Sequence, residues 1–123
     1  MSLTLLIVDD HEGLRGFARI LLTKEGFEVI GEAADGQTAL AAVRALHPDV
    51  VLLDIGLPDI DGFEVARRLA QTPGAPRLIL TSSRNASDYG QLIANSPAQG
   101  FLPKQELSGA AISAFITQPP IAV

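Results

Sequence analysis

Asp49-Val50-Val51-Leu52-Leu53-Asp54-Ile55-Gly56-Leu57-Pro58 is an apolar run that ends in a carboxylate, and a glycine and a proline then stop the strand. Runs rich in Val and Leu without polar alternation are typical of a strand that helices cover on both faces, as in a parallel sheet. Open sheets of this kind bind their ligands at the carboxyl ends of the strands. The stretch therefore predicts that Asp54 lies at the ligand-binding edge of a central strand.

The composition fits one folded domain, because 123 residues is an ordinary domain length and 47% of them are hydrophobic. No apolar run approaches the ~18 residues that span a bilayer, and no signal peptide is recognised. The absence of cysteine excludes disulfides and thiolate metal sites. We expect a cytoplasmic domain over residues 1–118, followed by a tail or the start of a linker at 119–123, with no membrane partner.

The charge balance argues against a nucleic-acid partner. The net charge is −5, and only nine Lys and Arg residues are scattered along the chain. Proteins that bind nucleic acid need clustered basic side chains to neutralise phosphates. We therefore expect no direct nucleic-acid binding by this chain.

The hydrophobic pattern predicts five strands that alternate with five helices. The strands are expected at 3–8, 28–33, 49–54, 78–81 and 100–104. The helices are expected at 11–25, 35–46, 61–72, 87–95 and 108–115. Such alternation with short loops predicts an α/β fold with a parallel sheet wrapped by helices on both faces, and we favour the flavodoxin-like strand order 2-1-3-4-5.

Two helices carry more specific expectations. The first is expected to bury an apolar face and to turn its basic side chains outward. The apolar set is Leu14, Phe17, Ile20 and Leu21, and the basic set is Arg15, Arg19 and Lys24. The fourth, with Ser87 as its cap, is the weakest helix because it contains Gly90, and Pro97 indicates that it ends early or is irregular.

In this topology, strands one, three, four and five deliver polar residues to the same edge of the sheet. Those residues are Asp9, Asp10, Asp54, Thr81 and Lys104. Three neighbouring carboxylates repel one another, and a hard divalent cation such as Mg²⁺ relieves that repulsion. The set indicates a carboxylate nucleophile that takes up a phosphoryl group, whose charge the metal and Lys104 neutralise.

Each residue alone has an ordinary explanation. An Asp after a strand is most often a helix cap or a loop residue, and a lone Lys or Thr there is usually structural. His11, at the start of the first helix, is expected to have no direct role. A P-loop nucleotidase reading fails because the G-x-x-x-x-G-K-[ST] motif is missing. The phosphoryl-transfer prediction rests on the combination, because four strands end, in chain order, in the residue types that this chemistry needs.

The combined pattern resembles the receiver domain of two-component response regulators, over essentially the whole chain. The matching segments are Val8-Asp9-Asp10-His11, Asp54-Ile55-Gly56-Leu57-Pro58 with Asp61-Gly62, Leu80-Thr81-Ser82 and Gly100-Phe101-Leu102-Pro103-Lys104. The Asp-Asp-His segment with Arg15 and the last strand are most similar to the CheY-like receivers of the NarL/FixJ branch, which carries LuxR-type outputs.

The resemblance implies a phosphoacceptor and a metal site. Asp54 would accept a phosphoryl group from a histidine kinase, with Mg²⁺ or Mn²⁺ present. Asp10 would bind the metal directly, Asp9 through a water, and Gly56 through its backbone carbonyl.

Three further roles follow from the same resemblance. Thr81 would move toward the phosphoryl group, Phe101 would turn inward as the second switch residue, and Lys104 would pair with a phosphoryl oxygen. The domain would then be a signalling switch that assists its own phosphorylation and dephosphorylation, and not a metabolic enzyme.

The last helix is the segment most open to interpretation, because residues 108–117 contain no charged side chain. It is either a buried helix or part of a contact face. The prediction is a homodimer or effector contact through the fourth and fifth helices and strand five. The alternative for the whole chain is a receiver-like scaffold module that is never phosphorylated, while an Asp-nucleophile phosphatase would need an Asp where Gly56 stands.

Overall fold

A computed structural model describes residues 2–117 of the chain. Its five strands are β1 Thr4–Val8, β2 Glu28–Ala33, β3 Val50–Asp54, β4 Arg77–Ser82 and β5 Gly100–Pro103. Its α-helices are α1 Glu12–Lys24, α2 Gly36–Leu46, α3 Gly62–Ala70 and α4 Gly109–Thr117. All strand pairs are parallel, and the order β2-β1-β3-β4-β5 confirms the predicted topology. The predicted boundary at 118 and the tail lie outside the described residues.

The central strands are buried on both faces, as their apolar sequences predict. Successive residues of a strand point to opposite faces, so the core divides into two clusters. Leu6, Val51 and Leu53 pack on the side of α2 and α3. Leu5 and Leu52 pack on the other side, against α1 and α4. Asp54 is therefore the end of a strand whose five residues are all buried.

Several helix ends follow the sequence signals. Asp35 caps α2 by accepting a hydrogen bond from the N–H of Thr38 at 2.7 Å. Gly26 ends α1 with a φ of 101°, a conformation that glycine adopts without strain. Ser108 accepts a hydrogen bond from Ala111 at the start of α4, as expected of an N-cap.

The predicted buried face of α1 is wrong in part. Phe17 and Ile20 are 57% and 67% exposed, whereas Ala18 and Leu22 are fully buried. The buried stripe runs instead through Ala18 and Leu22, which pack in the core against Leu5 and Leu52. Arg15 and Arg19 lie beside this stripe, where they form ion pairs with Glu32 on β2.

The predicted fourth α-helix is also wrong in type. Residues Ala86–Leu92 form a 3₁₀ segment, kinked at Gly90, where φ is 56° and ψ is −125°. Its cap is Asn85, whose N–H donates to Oδ2 of Asp88 at 3.1 Å and whose backbone carbonyl accepts from the N–H of Asp88 at 3.0 Å, so Ser87 is not the cap. The expected irregularity is present, and Gly90 adopts a backbone conformation that other residues rarely reach.

Strand β5 lies at an edge of the sheet, where Pro103 is tolerated because it cannot donate to a ladder. Beside it, α4 buries Ile112 and Ile116, and its exposed positions are the small residues Ala110 and Ala114. Within residues 2–117, no helix is both long enough and apolar enough to cross a bilayer.

Candidate phosphorylation and metal site

Asp54 is the centre of the site. It ends β3 and is only 4% exposed. One carboxylate oxygen, Oδ1, accepts a hydrogen bond from the N–H of Gly56 at 3.1 Å. The other, Oδ2, lies 3.4 Å from the Nζ atom of Lys104. The side chain is thus fixed at the end of a buried strand with one oxygen directed at a cation.

Lys104 joins the two acidic strand ends. It follows β5 directly, and its Nζ atom lies 2.8 Å from Oδ2 of Asp9 as well as 3.4 Å from Oδ2 of Asp54. Only 15% of its side chain is exposed. The ammonium group of Lys104 therefore lies between two buried carboxylates. At this position it could also form an ion pair with a phosphoryl oxygen on Asp54.

Asp9 and Asp10 follow β1 and form the second part of the acidic cluster. Asp9 is 2% exposed, and its Oδ1 atom accepts a hydrogen bond from the backbone N–H of His11 at 2.8 Å. The Nδ1 atom of His11 lies 3.1 Å from a carboxylate oxygen of each Asp. His11 lies at the start of α1, as predicted, and its ring contacts both carboxylates, while its expected lack of a direct role stays a prediction.

The loop after Asp54 is held by backbone interactions. Asp59 accepts hydrogen bonds from the N–H groups of Gly36 and Gln37, at 2.7 and 3.0 Å, which ties the loop to the start of α2. These bonds hold the pKa of Asp59 below its ordinary value. Gly62 begins α3 so close to the strand end that a Cβ there would lie 2.5 Å from the Cα of Ile55. The loop that carries Gly56 is therefore fixed at both ends.

The two predicted switch residues lie on strands next to the site. Thr81 is buried and pairs in register with Asp54, and its carbonyl accepts a hydrogen bond from Ile55 at 3.0 Å. Phe101 is half-buried on β5, with its ring 6.0 Å from the ring of Tyr89. The structure brings Thr81 to the site, while Phe101 packs at its side against an aromatic neighbour.

Tyr89 is a residue that the sequence did not single out. Its ring meets Phe63 edge-on at 5.8 Å and also packs against Phe101. Its hydroxyl forms a short hydrogen bond with the hydroxyl of Ser82, the residue after Thr81. The signal was weak, since a single tyrosine in a poorly helical segment reads as an ordinary surface residue.

The pKa values of Asp54 and Lys104 depend on burial and on the charges beside them. Burial raises the pKa of Asp54, and the nearby charge of Asp9 raises it further, against the smaller opposing effects of Gly56 and Lys104. Burial alone would lower the pKa of Lys104, but its interactions with Asp9 and Asp54 outweigh burial and raise it. A bound cation would favour the charged form of Asp54 and so offset the effects of burial and of Asp9.

The donor set fits a hard divalent cation. Asp9, Asp10, His11 and Asp54 each offer a ligand atom, and these atoms lie within 4.8 Å of one another. Oδ2 of Asp9 is buried, and the ammonium of Lys104, whose Nζ atom lies 2.8 Å away, is the group that meets its charge. Carboxylate oxygens are the ligands that Mg²⁺ prefers.

Sequence comparison gives a family match over most of the chain. Residues 5–115 match the family described as the response regulator receiver domain. The chain is 45% identical over 102 residues to the virulence-factor transcription regulator BvgA of Bordetella pertussis, and 33% identical over 101 residues to the DNA-binding transcriptional activator EvgA of Escherichia coli K12. Each match covers 82% of this chain but 48% and 50% of the relative, so the chain spans about half the length of these proteins.

Solved structures show the same fold. The signal receiver domain of the response regulator NarL from Mycobacterium tuberculosis superposes with a TM-score of 0.84 at 29% identity, over 95% of this chain and 98% of that one. A response regulator from Chloroflexus aurantiacus gives a TM-score of 0.84 at 26% identity, over 96% of this chain and all of that one, 100%. Both likenesses extend over nearly the whole chain.

Proposed function

Because the chain belongs to the response regulator receiver domain family, we propose that it accepts a phosphoryl group on Asp54 from a histidine kinase and acts as a signalling switch. The curated relatives are transcription regulators, and the proposed activity is accordingly that of a switch and not of a metabolic enzyme. One observation carries the proposal: the buried carboxylate of Asp54 lies near both the ammonium of Lys104 and the carboxylates of Asp9 and Asp10, which follow β1.

The proposed reaction has two steps, and in each step one bond to phosphorus forms while another breaks. A carboxylate oxygen of Asp54 attacks phosphorus, an O–P bond forms, and the P–N bond to the kinase histidine breaks. Water later attacks the acyl phosphate, which releases inorganic phosphate and restores the carboxylate of Asp54. Lys104 would pair with a phosphoryl oxygen, and Thr81 would donate a hydrogen bond to another.

The metal part of the proposal assigns ligands to the acidic cluster. Asp10 and Asp54 would bind Mg²⁺ directly, Asp9 would act mainly through a water, and the carbonyl of Gly56 would complete the protein ligands. When bound, Mg²⁺ supplies positive charge that neutralises the phosphoryl oxygens. Mn²⁺ suits the same oxygen ligands.

The first experiment measures Mg²⁺-dependent labelling by acetyl phosphate, a small phosphodonor. Wild type should be labelled when Mg²⁺ is present. It should not be labelled when EDTA is added before the phosphodonor. Asp54→Asn should not be labelled, while Asp35→Asn should be labelled like wild type, because Asn caps a helix about as well as Asp.

Two results would count against this proposal. Equal labelling of wild type and Asp54→Asn would mean that Asp54 is not the acceptor. A folded wild-type chain that is never labelled, by acetyl phosphate or by a kinase, would favour the alternative of a receiver-like scaffold module.

We also propose an output face formed by the 3₁₀ segment, β5 and α4. Leu92 is 55% exposed on this face, and the outward residues of α4 are Ala110 and Ala114, which let a partner helix approach closely. Phosphorylation at Asp54 would shift a two-state equilibrium that this face reports, by homodimerisation or by binding an effector. Direct binding to nucleic acid is not part of the proposal for this chain.

A further inference from the structure

Arg15 connects three elements at the edge of the acidic cluster. It lies in the first turn of α1, and only 16% of its side chain is exposed. Its Nη1 atom donates to the backbone carbonyl of Asp9 at 2.7 Å, and its Nε atom donates to Oε1 of Glu32 on β2 at 3.1 Å. The rigid guanidinium fork allows one side chain to hold both acceptors.

These contacts fix the backbone on both sides of Asp9. The N–H of Asp9 donates to the carbonyl of Ala33 at 3.0 Å, which continues the pairing of β1 with β2. The carbonyl that Arg15 binds belongs to the next peptide group, the one that joins Asp9 to Asp10. Its orientation sets the direction in which the side chain of Asp10 leaves the backbone.

We propose that Arg15 is a positioning residue for the metal site, which holds the peptide between Asp9 and Asp10 so that both carboxylates converge on one cation. This inference rests on the proposed function, since it assumes that the acidic cluster binds Mg²⁺. Groups that orient metal ligands through hydrogen bonds matter nearly as much as the ligands, and losing one typically costs 10–100-fold in metal affinity.

Arg19 provides a matched comparison within the same helix. Its Nε atom donates to Oε2 of Glu32 at 2.6 Å, and its Nη1 atom donates to the carbonyl of Val29 at 3.3 Å. Both arginines therefore bind the same carboxylate, and the hydrogen bond with Arg19 is the largest cause of the lowered pKa of Glu32. The described contacts of Arg19 do not reach Asp9, Asp10 or His11, so Arg19 shares Glu32 with Arg15 but lacks a bond to Asp9.

Charge and geometry predict opposite effects for removing Arg15. If its positive charge acted mainly by repelling a cation, neutralising it would strengthen Mg²⁺ binding. If its hydrogen bond to Asp9 is what matters, removing it would weaken Mg²⁺ binding. Arg15→Lys separates the two effects, because Lys keeps the charge but lacks the fork that reaches both acceptors.

The experiment titrates ¹⁵N-labelled protein with Mg²⁺ and follows by NMR the amide signals of residues 9–11, directly after β1. Wild type, Arg15→Gln, Arg15→Lys and Arg19→Gln are compared, and the remaining amide signals report whether each variant is folded. Arg15→Gln should weaken Mg²⁺ binding by about tenfold or more, with Arg15→Lys between it and wild type. Arg19→Gln should bind Mg²⁺ within about twofold of wild type, although it loses a similar ion pair.

Each possible outcome decides the question. Unchanged or tighter Mg²⁺ binding by Arg15→Gln would overturn the inference, as would an equal loss in Arg19→Gln. If Arg15→Gln fails to fold, Arg15→Lys decides, and unchanged affinity in that variant overturns the inference. A folded wild type that does not respond to Mg²⁺ would instead contradict the metal site of the proposed function.

Discussion

The buried position of Asp54 lowers the free energy of unfolding near neutral pH, where its carboxylate is charged in the unfolded chain. Its pKa is raised first by burial and then by the charge of Asp9. In the folded chain Asp54 therefore holds its proton more tightly than in the unfolded chain. The free energy of unfolding consequently falls as pH rises from the ordinary carboxyl range through the raised pKa of Asp54. Functional sites often retain such strain at the expense of stability.

Asp54→Asn should therefore stabilise the metal-free protein near neutral pH. The expected gain in the free energy of unfolding is about 0.5–2 kcal/mol, the usual size of a single stabilising substitution. The gain should shrink as pH falls into the ordinary carboxyl range, because Asp54 is then protonated in both states. Urea unfolding between pH 4 and pH 8, with EDTA present, measures this.

Asp59→Asn is the control of opposite sign. The pKa of Asp59 is lowered by the backbone hydrogen bonds of Gly36 and Gln37, so its charge contributes stability above the ordinary carboxyl range and loses it as pH falls. Asp59→Asn should therefore be less stable than wild type near neutral pH. A lower free energy of unfolding for Asp54→Asn than for wild type would contradict the claim that the charged carboxylate of Asp54 destabilises the fold.

At the scale of elements, the strands were predictable and the connection after β4 was not. Each buried strand is a short apolar run that ends in a polar residue, so the sequence placed Asp9, Asp54, Thr81 and Lys104 at one edge. The apolar residues of α1 predict a helix but not which of them face the sheet, because Phe17 and Ile20 fit the helical spacing yet lie outside the buried stripe of Ala18 and Leu22. The bonds from Arg15 to Asp9 and from Tyr89 to Ser82 likewise join residues whose relation appears only after folding.

The 3₁₀ segment gives a prediction of its own. Tyr89→Phe keeps the ring between Phe63 and Phe101 but removes the hydroxyl that bonds Ser82. The loss of this hydrogen bond should lower the free energy of unfolding by about 1 kcal/mol. Amide hydrogen exchange should become faster across residues 83–92, because the segment opens locally more often.

Ser87→Ala is the matched control for that prediction. It removes an exposed hydroxyl from the same 3₁₀ segment and should change neither stability nor exchange noticeably. Exchange rates for Tyr89→Phe equal to those of wild type would show that the Ser82–Tyr89 bond does not hold the segment in place.

For the whole molecule, the distribution of exposed apolar side chains decides which surfaces are open to partners. Among the described residues, the large exposed ones are Phe17, Ile20, Leu46 and Leu92. The uncharged helix α4 is buried through Ile112 and Ile116 and exposes the small residues Ala110 and Ala114, and the contact through this helix stays a prediction. A partner at the proposed output face would meet a shallow surface with Leu92 at its side.

If that face forms a homodimer, association should depend on the phosphoryl group. Light scattering after gel filtration should show a larger fraction of dimer when beryllofluoride, a phosphoryl mimic, is added with Mg²⁺. Ala114→Glu, on the exposed side of α4, should abolish the increase, because it places a charge in the contact. Ala45→Glu, at another exposed alanine, on α2, should leave the increase unchanged.

A protein that stays monomeric in both conditions would remove the homodimer and leave an effector as the partner of that face. An equal loss of dimer in Ala45→Glu would move the contact away from α4.

The position of Tyr89 has an optical consequence. The sequence contains one tyrosine and no tryptophan, so the tyrosine fluorescence of the unlabelled protein comes from Tyr89 alone. That ring lies between Phe63 and Phe101, and its hydroxyl bonds Ser82, directly after Thr81. A change at this segment alters the surroundings of the one strong ultraviolet emitter in the chain. If a phosphoryl group at Asp54 shifts this segment, as proposed, the emission of Tyr89 should change, and the reaction could then be followed in real time without attaching a dye.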